Sequence, residues 1–557
     1  MKRLRFSIIF LLLVLAAAMV FAGGSNQQTT AAGVSSSSAA NVNPPGVFPI
    51  CKTPITIKVG VPQNTNVENF DTNKLTLWYE EKGNFTLNFE LYPSNGAEAR
   101  QKVELIMASG GADLPEVLIG FGFTEDGMLK MGQDGFALNL TSYYKDWAYY
   151  IPMILPQLKN KDYMQWLTSA DGNIYYVPKS NEAIGNLYQL RSLINKSWLD
   201  KLGLSIPTTT NEFRTVLNAF VNKDPNGNGK KDEIGFIGSN GWGAQAADWV
   251  MNAYIYDDSK NRYVVDDTGK VDVAFTKPEW QEGLRFLNGL VKDGLMLPQT
   301  FTMNDTQMRQ LTEGGDVSQV GAFTHGMMAA VFGATNVRKL EYVPLPPLTG
   351  PKGNCTVAFF PDIPQKNFVI TKNAKNPEAI FRWADLMCSE EGYMRTRWGE
   401  PGVDWKVPGP NDHSLLESIG YGPKMVMILP WGSVNNAHWS FITAGIVPIG
   451  VSEGQVAPAD DPLYTERWAM GSVPFYINKE PKNRVDIQKF TLQEAEEISD
   501  IRNSINSYVN ESLALFSVGD KNIDRDWDAY LKELDAMGLK RYLELSQSGY
   551  DRAIGKK

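Results

Sequence analysis

Apolar and polar residues alternate from Ile55 to Val61 and again from Phe85 to Leu91, the period-two pattern of half-buried strands. Between them Leu75 to Lys82 reads as a helix. Ala97 to Ala108 predicts another, with Val103, Ile106 and Met107 on one side, and Glu116 to Gly120 a short buried strand ending in the turn GFGFTEDG. The order strand, helix, strand, helix, strand predicts an α/β domain with a largely parallel sheet. Farther along, DGNIYYVPK (Asp171 to Lys179) predicts a turn and a strand, and Ile234 to Ile237 and Phe368 to Thr371 read as two more strands. Helical spacing recurs at Phe213, Val216, Leu217 and Phe220, within Thr276 to Leu295 at Trp280, Leu284, Leu287 and Val291, and at Ile380, Trp383, Ala384 and Met387. Trp280 and Trp383, with Trp198, are therefore expected in cores. Start signals support these helices: Thr209 with Glu212 has the form of a capping box, and Asn376 with Pro377 fills the preferred cap and first-turn positions. Thr491 and Glu494 open a long helix through Ile498, Ile501, Ile505 and Val509 that stops near Gly519. Tyr342 to Gly353 (YVPLPPLTGPKG) is an extended crossing.

The first residues follow a different logic. Lys2, Arg3 and Arg5 precede an apolar run from Ile8 to Phe21, and Val20 and Ala22 satisfy the small-residue rule for cleavage before Gly23, so residues 1–22 are expected to be a signal peptide. Its removal takes the formal charge from −9 to −12. An acidic, exported chain without a basic run excludes nucleic acid and anionic lipid as partners. Residues 23–53, rich in Gly, Ser, Gln, Thr and Ala, are expected to form a flexible linker. The first cysteine, Cys51, lies far beyond the cleavage site, which argues against a lipid anchor and for a periplasmic or extracellular protein. Cys51, Cys355 and Cys388 allow one disulfide or none. The remaining stretch of about five hundred residues exceeds a single core and calls for two domains.

One loop carries candidate chemistry. In DPNGNGKKDE, Asp224, Asn226 and Asn228 occupy positions one, three and five of a calcium-type loop. Gly229 stands at the sharp turn, Lys230 offers its carbonyl, and Asp232 and Glu233 follow as side-chain ligands. The acidic closure comes at position ten rather than twelve, and a strand follows where an EF-hand has a second helix. Ca2+ here is expected to be structural, because no catalytic group stands beside it.

Catalytic motifs do not hold together. GVSEG (Gly450 to Gly454) matches a nucleophile-elbow string, but Pro458 disfavours the following helix, and His325, His413 and His438 all precede Ser452. Gly241, Gly243 and Ala246 echo a dinucleotide fingerprint without the rest of it. Three histidines without ligand spacing do not make a zinc site.

Read in order, EARQKVELIMASGGADLPEVL, DGNIYYVPK, SWLDKLGLSIPTTTNEF, DPNGNGKKDEIGF, LVKDGL, PPLTGPKG, NPEAIFRWADLMCSEEG and DWDAYLKELDAMGL resemble the family 1 extracellular solute-binding proteins of bacterial ABC importers, in the calcium-loop branch that includes the LplA-type lipoproteins. The resemblance implies a non-enzymatic α/β protein of the periplasmic-binding-protein fold, two lobes joined by a hinge with a ligand cleft between them. Lobe one is then expected to hold residues 54–183 and 356–403, and lobe two residues 184–350 and 404–557. It implies a monomer that captures a carbohydrate, an oligosaccharide above all, by domain closure and delivers it to permease subunits. A secreted carbohydrate-active enzyme, or a peptide or sensory receptor on the same fold, is the alternative. By their order along the chain, Phe121 and Phe123, Trp242, Phe323 and His325, and Trp431 are the candidate ligand contacts; the alternative for each is a core or surface aromatic.

Overall fold

The computed structural model describes residues 36–333, 335–429, 436–458 and 461–556. Strands β1 (Ile55–Pro62), β2 (Phe85–Tyr92), β3 (Val117–Phe123), β4 (Val177–Asn181), β11 (Gln365–Ile370) and β14 (Gly445–Val447) form one sheet in the order β14-β4-β11-β3-β1-β2. A second sheet has the order β10-β5-β9-β6, from β5 (Ser192–Asn195), β6 (Ile234–Ile237), β9 (Val320–Thr324) and β10 (Tyr342–Leu345). Each sheet has its own helix-covered core, so the two expected lobes are present. Two small sheets complete the strands: β7 (Tyr263–Val265) with β8 (Val271–Val273), and β12 (Trp405–Lys406), β13 (Met425–Met427) and β15 (Gln455–Val456).

Local signals account for much of this. Thr209 and Glu212 make both capping-box bonds at the helix Thr210–Asn222, and Thr491 and Glu494 do the same at Leu492–Val518, which ends at Gly519 with φ +90°. Trp198, Trp280 and Trp383 are buried. Trp383 meets Tyr79, Phe85, Phe368 and Trp439 edge-on, the favoured geometry for aromatic pairs. All three cysteines are free.

Four expectations change. The large sheet is mixed rather than largely parallel, because β11 runs antiparallel to both β3 and β4. The helix Pro377–Met387 is buried on every side, not on one face. Its outer side is covered by residues 41–53, which the composition assigns to the flexible linker. There Val42 bridges Cys51, Ile50 and Cys51 donate their N–H groups to Lys82 and Gly83, and Arg382 donates from below to the Asn43 carbonyl at 2.9 Å. Val42, Ile50 and Cys51 are too few to shift a composition average, yet they suffice to pin the segment.

The lobe boundaries also move. β14 lies in the lobe-one sheet, and Met425, Met427, Trp439, Phe441 and Ile446 join the lobe-one core, so residues 425–429 and 436–451 belong there and not to lobe two. Val357, Ala358 and Phe359 pack in the lobe-two core instead. The chain therefore crosses between lobes near residues 182–190 and 360–364, and again after Val451 and before the helix Glu466–Tyr476.

Candidate interlobe ligand site

Two cavities sit on opposite sides of the second crossing. Gln365 and Lys366 are successive residues of β11 and point to opposite faces. Lys366 lines a cavity of about 430 Å³ with Glu125, Asn261 and Arg502, and Gln365 lines one of about 580 Å³. The aromatic rings of the smaller cavity, Tyr263 and Phe490, are buried or partly buried in the lobe-two core. The larger cavity has an open one. Trp242 is 41% exposed, with Asn186, Gln189, Gln245 and Phe360 around it on the lobe-two side, and Asp362 and Gln365 contributed by the crossing into lobe one.

Two glycines hold that indole. Gly243 has φ +61°, and a Cβ there would stand 2.3 Å from the Gln189 carbonyl oxygen. A Cβ on Gly326 would stand 2.4 Å from the indole ring, so only glycine lets the ring lie against this backbone. The Gly326 N–H donates to the Trp242 carbonyl at 3.1 Å. The result is a fixed apolar plate flanked by planar amides, a surface suited to a ligand with both C–H faces and hydroxyls.

Comparison with known proteins fits this architecture. The family model described as bacterial extracellular solute-binding protein matches residues 57–394. The chain belongs to that family. Its relatives include the fructooligosaccharide ABC transporter substrate-binding protein FusA of Streptococcus pneumoniae, 27% identical over 486 residues, 85% of this chain and 86% of FusA. Lipoprotein LipO of Bacillus subtilis is 25% identical over 55% of this chain and 59% of its own length. Among solved structures, an extracellular solute-binding protein of Bifidobacterium longum subsp. infantis superposes with a TM-score of 0.71 at 20% identity, covering 90% of this chain and 98% of that one. The solute-binding fold is thus established, and the family is one of binding proteins rather than enzymes. Among the described residues no helix is long and apolar enough to cross a membrane.

In this solute-binding protein the sequence-derived contacts separate. Trp242 lines the cavity. Phe121 and Phe123 do not; they stack on each other with centroids 5.6 Å apart, buried in lobe one, with Tyr92 against Phe121. Phe323 is fully buried between Phe332 and Tyr342. Both corrections have one cause: these rings sit within the ends of central strands, where the inner layer of the core takes them. His325 is buried too. Its Nδ1 accepts from the Met327 N–H at 2.9 Å, its Nε2 lies 3.2 Å from Asp305, and burial holds it below the ordinary histidine range. Trp431 lies outside the described residues. Ser452 of GVSEG is buried and donates to Asn181.

Sequence reading passed over Gln189, Phe360, Asp362 and Gln365. The signal available was the proline-broken FPDIPQ just ahead of a strand, which marks a crossing rather than a loop. Asp362 accepts from the Ser180 hydroxyl, and burial pushes its carboxyl up to about 7. Lys179, beside it, is pushed down to about 8 by burial and by Arg397.

The Asp362 shift has a defined sign. Its folded pKa lies above the unfolded value, so the folded state holds its proton longer, and stability falls as pH rises from about 4 to about 7. A shift of that size corresponds to at most about 4 kcal/mol. Asp362→Asn is expected to flatten the urea-unfolding free energy over this window relative to the parent protein. An unchanged pH slope would refute the assignment.

The loop after Thr210–Asn222 also takes shape. Asp224, at φ +46°, accepts from the N–H groups of Gly227, Asn228 and Gly229. The Asn226 and Asn228 amides both lie 3.1 Å from Asp232, which Gln319 also contacts. Among the described residues no three His, Cys, Asp or Glu side chains form a metal site by themselves. A cation here would need the Asn226 and Asn228 amide oxygens and the Lys230 carbonyl as well. Glu233 is the telling residue: it is buried, its Oε1 has no partner, and burial with the charges of Asp224 and Asp232 holds its carboxyl above the usual range. An oxygen-seeking cation would satisfy each of these groups, so the residues fit calcium.

Proposed function

We propose that this protein is the substrate-binding component of an ABC importer that captures an oligosaccharide between its lobes and presents it to permease subunits. The observation that carries this is the open Trp242 face in a cavity walled by side-chain amides on both sides of a crossing segment. FusA, similar over most of the chain, is named for fructooligosaccharides, and a further B. subtilis relative, YtcQ, for polygalacturonan and rhamnogalacturonan. A ligand touching both walls stabilises the closed arrangement by its differential contacts, and the closed form is what the permease reads. Exported location and action as a monomer complete the reading.

Calcium is part of it. Asp224, Asn226, Asn228, Asp232 and Glu233, with the Lys230 carbonyl, would hold the ion, which supplies charge compensation and cross-links the loop. None of these residues lines the larger cavity.

Isothermal titration against a panel of oligosaccharides tests the proposal. Saturable binding of an intact sugar, recovered unchanged by chromatography, is expected. Cleavage of the sugar would assign the site to an enzyme, and binding of peptides alone would assign it to the receptor alternative.

A further inference from the structure

The larger cavity is lined by one cation, Lys260, and one carboxylate, Asp362. Most cations near carboxylates pair with them: Lys366 with Glu125 at 2.6 Å, Lys277 with Asp272 at 2.5 Å, Lys352 with Glu282 at 2.8 Å. Lys179 and Lys260 form no such pair among the described residues. Lys179 sits opposite Gln365 in the β4–β11 register, so the two side chains leave the sheet on the same face; Gln365 lines the cavity, and Lys179 stands next to that lining. Its Nζ lies 5.1 Å from the centroid of Phe441, a ring that the Arg397 guanidinium also faces at 5.4 Å. Lys260 lines the cavity from lobe two, with its Nζ 5.4 Å from the centroid of Phe360.

Lys260 is held on a fixed arm. Asp258 accepts from the N–H groups of Lys260 and Arg262. The buried Arg262 guanidinium then ties the arm down, 2.5 Å from Asp248 and 3.3 Å from Asp257. Ser259 and Arg262 sit at φ +59° and +53°, conformations that non-glycine residues adopt only when their surroundings impose them.

The nearby acids are already engaged. Asp362 accepts from Ser180, Glu453 from the N–H groups of Ile184 and Gly450, and Glu466 faces Arg191 and Arg397. Closure on a neutral sugar would strip water from both ammonium groups and return only hydroxyl contacts. A carboxylate returns charge-assisted hydrogen bonds, shorter and about twice as strong.

We propose that the ligand is an acidic oligosaccharide, one containing uronic acid, whose carboxylates pair with Lys179 of lobe one and Lys260 of lobe two. This rests on the oligosaccharide reading above and narrows it. An aromatic ring beside each ammonium group orients it without neutralising it. One cation on each wall makes charge a closing force as well as a selective one.

Titration calorimetry with oligogalacturonates, oligoalginates and oligoglucuronates, each beside its methyl ester, is the test. The ester keeps the sugar ring and removes the charge. Binding of one free acid at least tenfold tighter than its ester is expected, with the advantage shrinking as sodium chloride rises from 20 to about 500 mM, where screening shortens to a few ångströms. In Lys179→Met/Lys260→Met the advantage should vanish while the melting temperature stays within a few degrees. Equal or tighter binding of esters or of neutral fructo-oligosaccharides overturns the inference and leaves the importer reading standing. An acid preference that survives the double substitution also overturns it. Binding of no saccharide, charged or neutral, removes the oligosaccharide reading itself.

Discussion

Trp242→Ala is expected to weaken oligosaccharide binding by about 30- to 100-fold while leaving the melting temperature nearly unchanged. The indole is 41% exposed and rests on glycine backbone rather than inside a core, so little folding energy depends on it. Its open face is a large apolar surface that the cavity's lobe-two wall offers to a ligand. Removing a central aromatic anchor from a desolvated contact costs about 2–3 kcal/mol, which is the stated fold-change. Gly326→Ala supplies a second arm: its Cβ would push the ring aside without deleting it. Calorimetry and thermal melting on both variants check this, and unchanged affinity in Trp242→Ala would remove Trp242 from the site.

Chelation should have the other large effect, on stability instead of affinity. With calcium at about a hundred times its dissociation constant, linkage stabilises the ion-bound form by about 2.7 kcal/mol. For a lobe of this size that is a melting shift of about 5–10 °C. EDTA is expected to lower the melting temperature by that amount. Asp224→Ala/Glu233→Ala should melt at the chelated temperature, respond no further to EDTA and carry no calcium by elemental analysis. Because the loop residues do not line the cavity, sugar affinity well below the melting temperature should hold. An EDTA-insensitive parent protein would show that Glu233 is buried for another reason.

What could be read from sequence was mostly what is decided within a few residues. The capping boxes at Thr209 and Thr491 form as spelled, since each needs only its own first turn. Trp280 and Trp383 go inside because helical spacing alone places them on an apolar stripe. Long-range choices were not legible. Nothing local to Gly445–Val447 says that it pairs with β4, over 260 residues earlier in the chain, rather than with lobe two. Phe121, Phe323 and Trp242 are all aromatics near strands and glycines, and their spacing does not tell a core ring from an open one. What separates Trp242 is the backbone of Gly326, which closes under it from a distant segment. Asp362 was invisible for the same reason: its partner Ser180 lies on β4, far away along the chain.

The packed segment 41–53 has a mechanical consequence. It is fastened to lobe one by the Val42–Cys51 bridge, by Lys82 and Gly83, and by Arg382. Any pull exerted through the chain upstream of Ser36 therefore lands on lobe one, and the hinge lies outside the load path. Dragging the molecule by its front end would load one lobe rather than the segments that join the two.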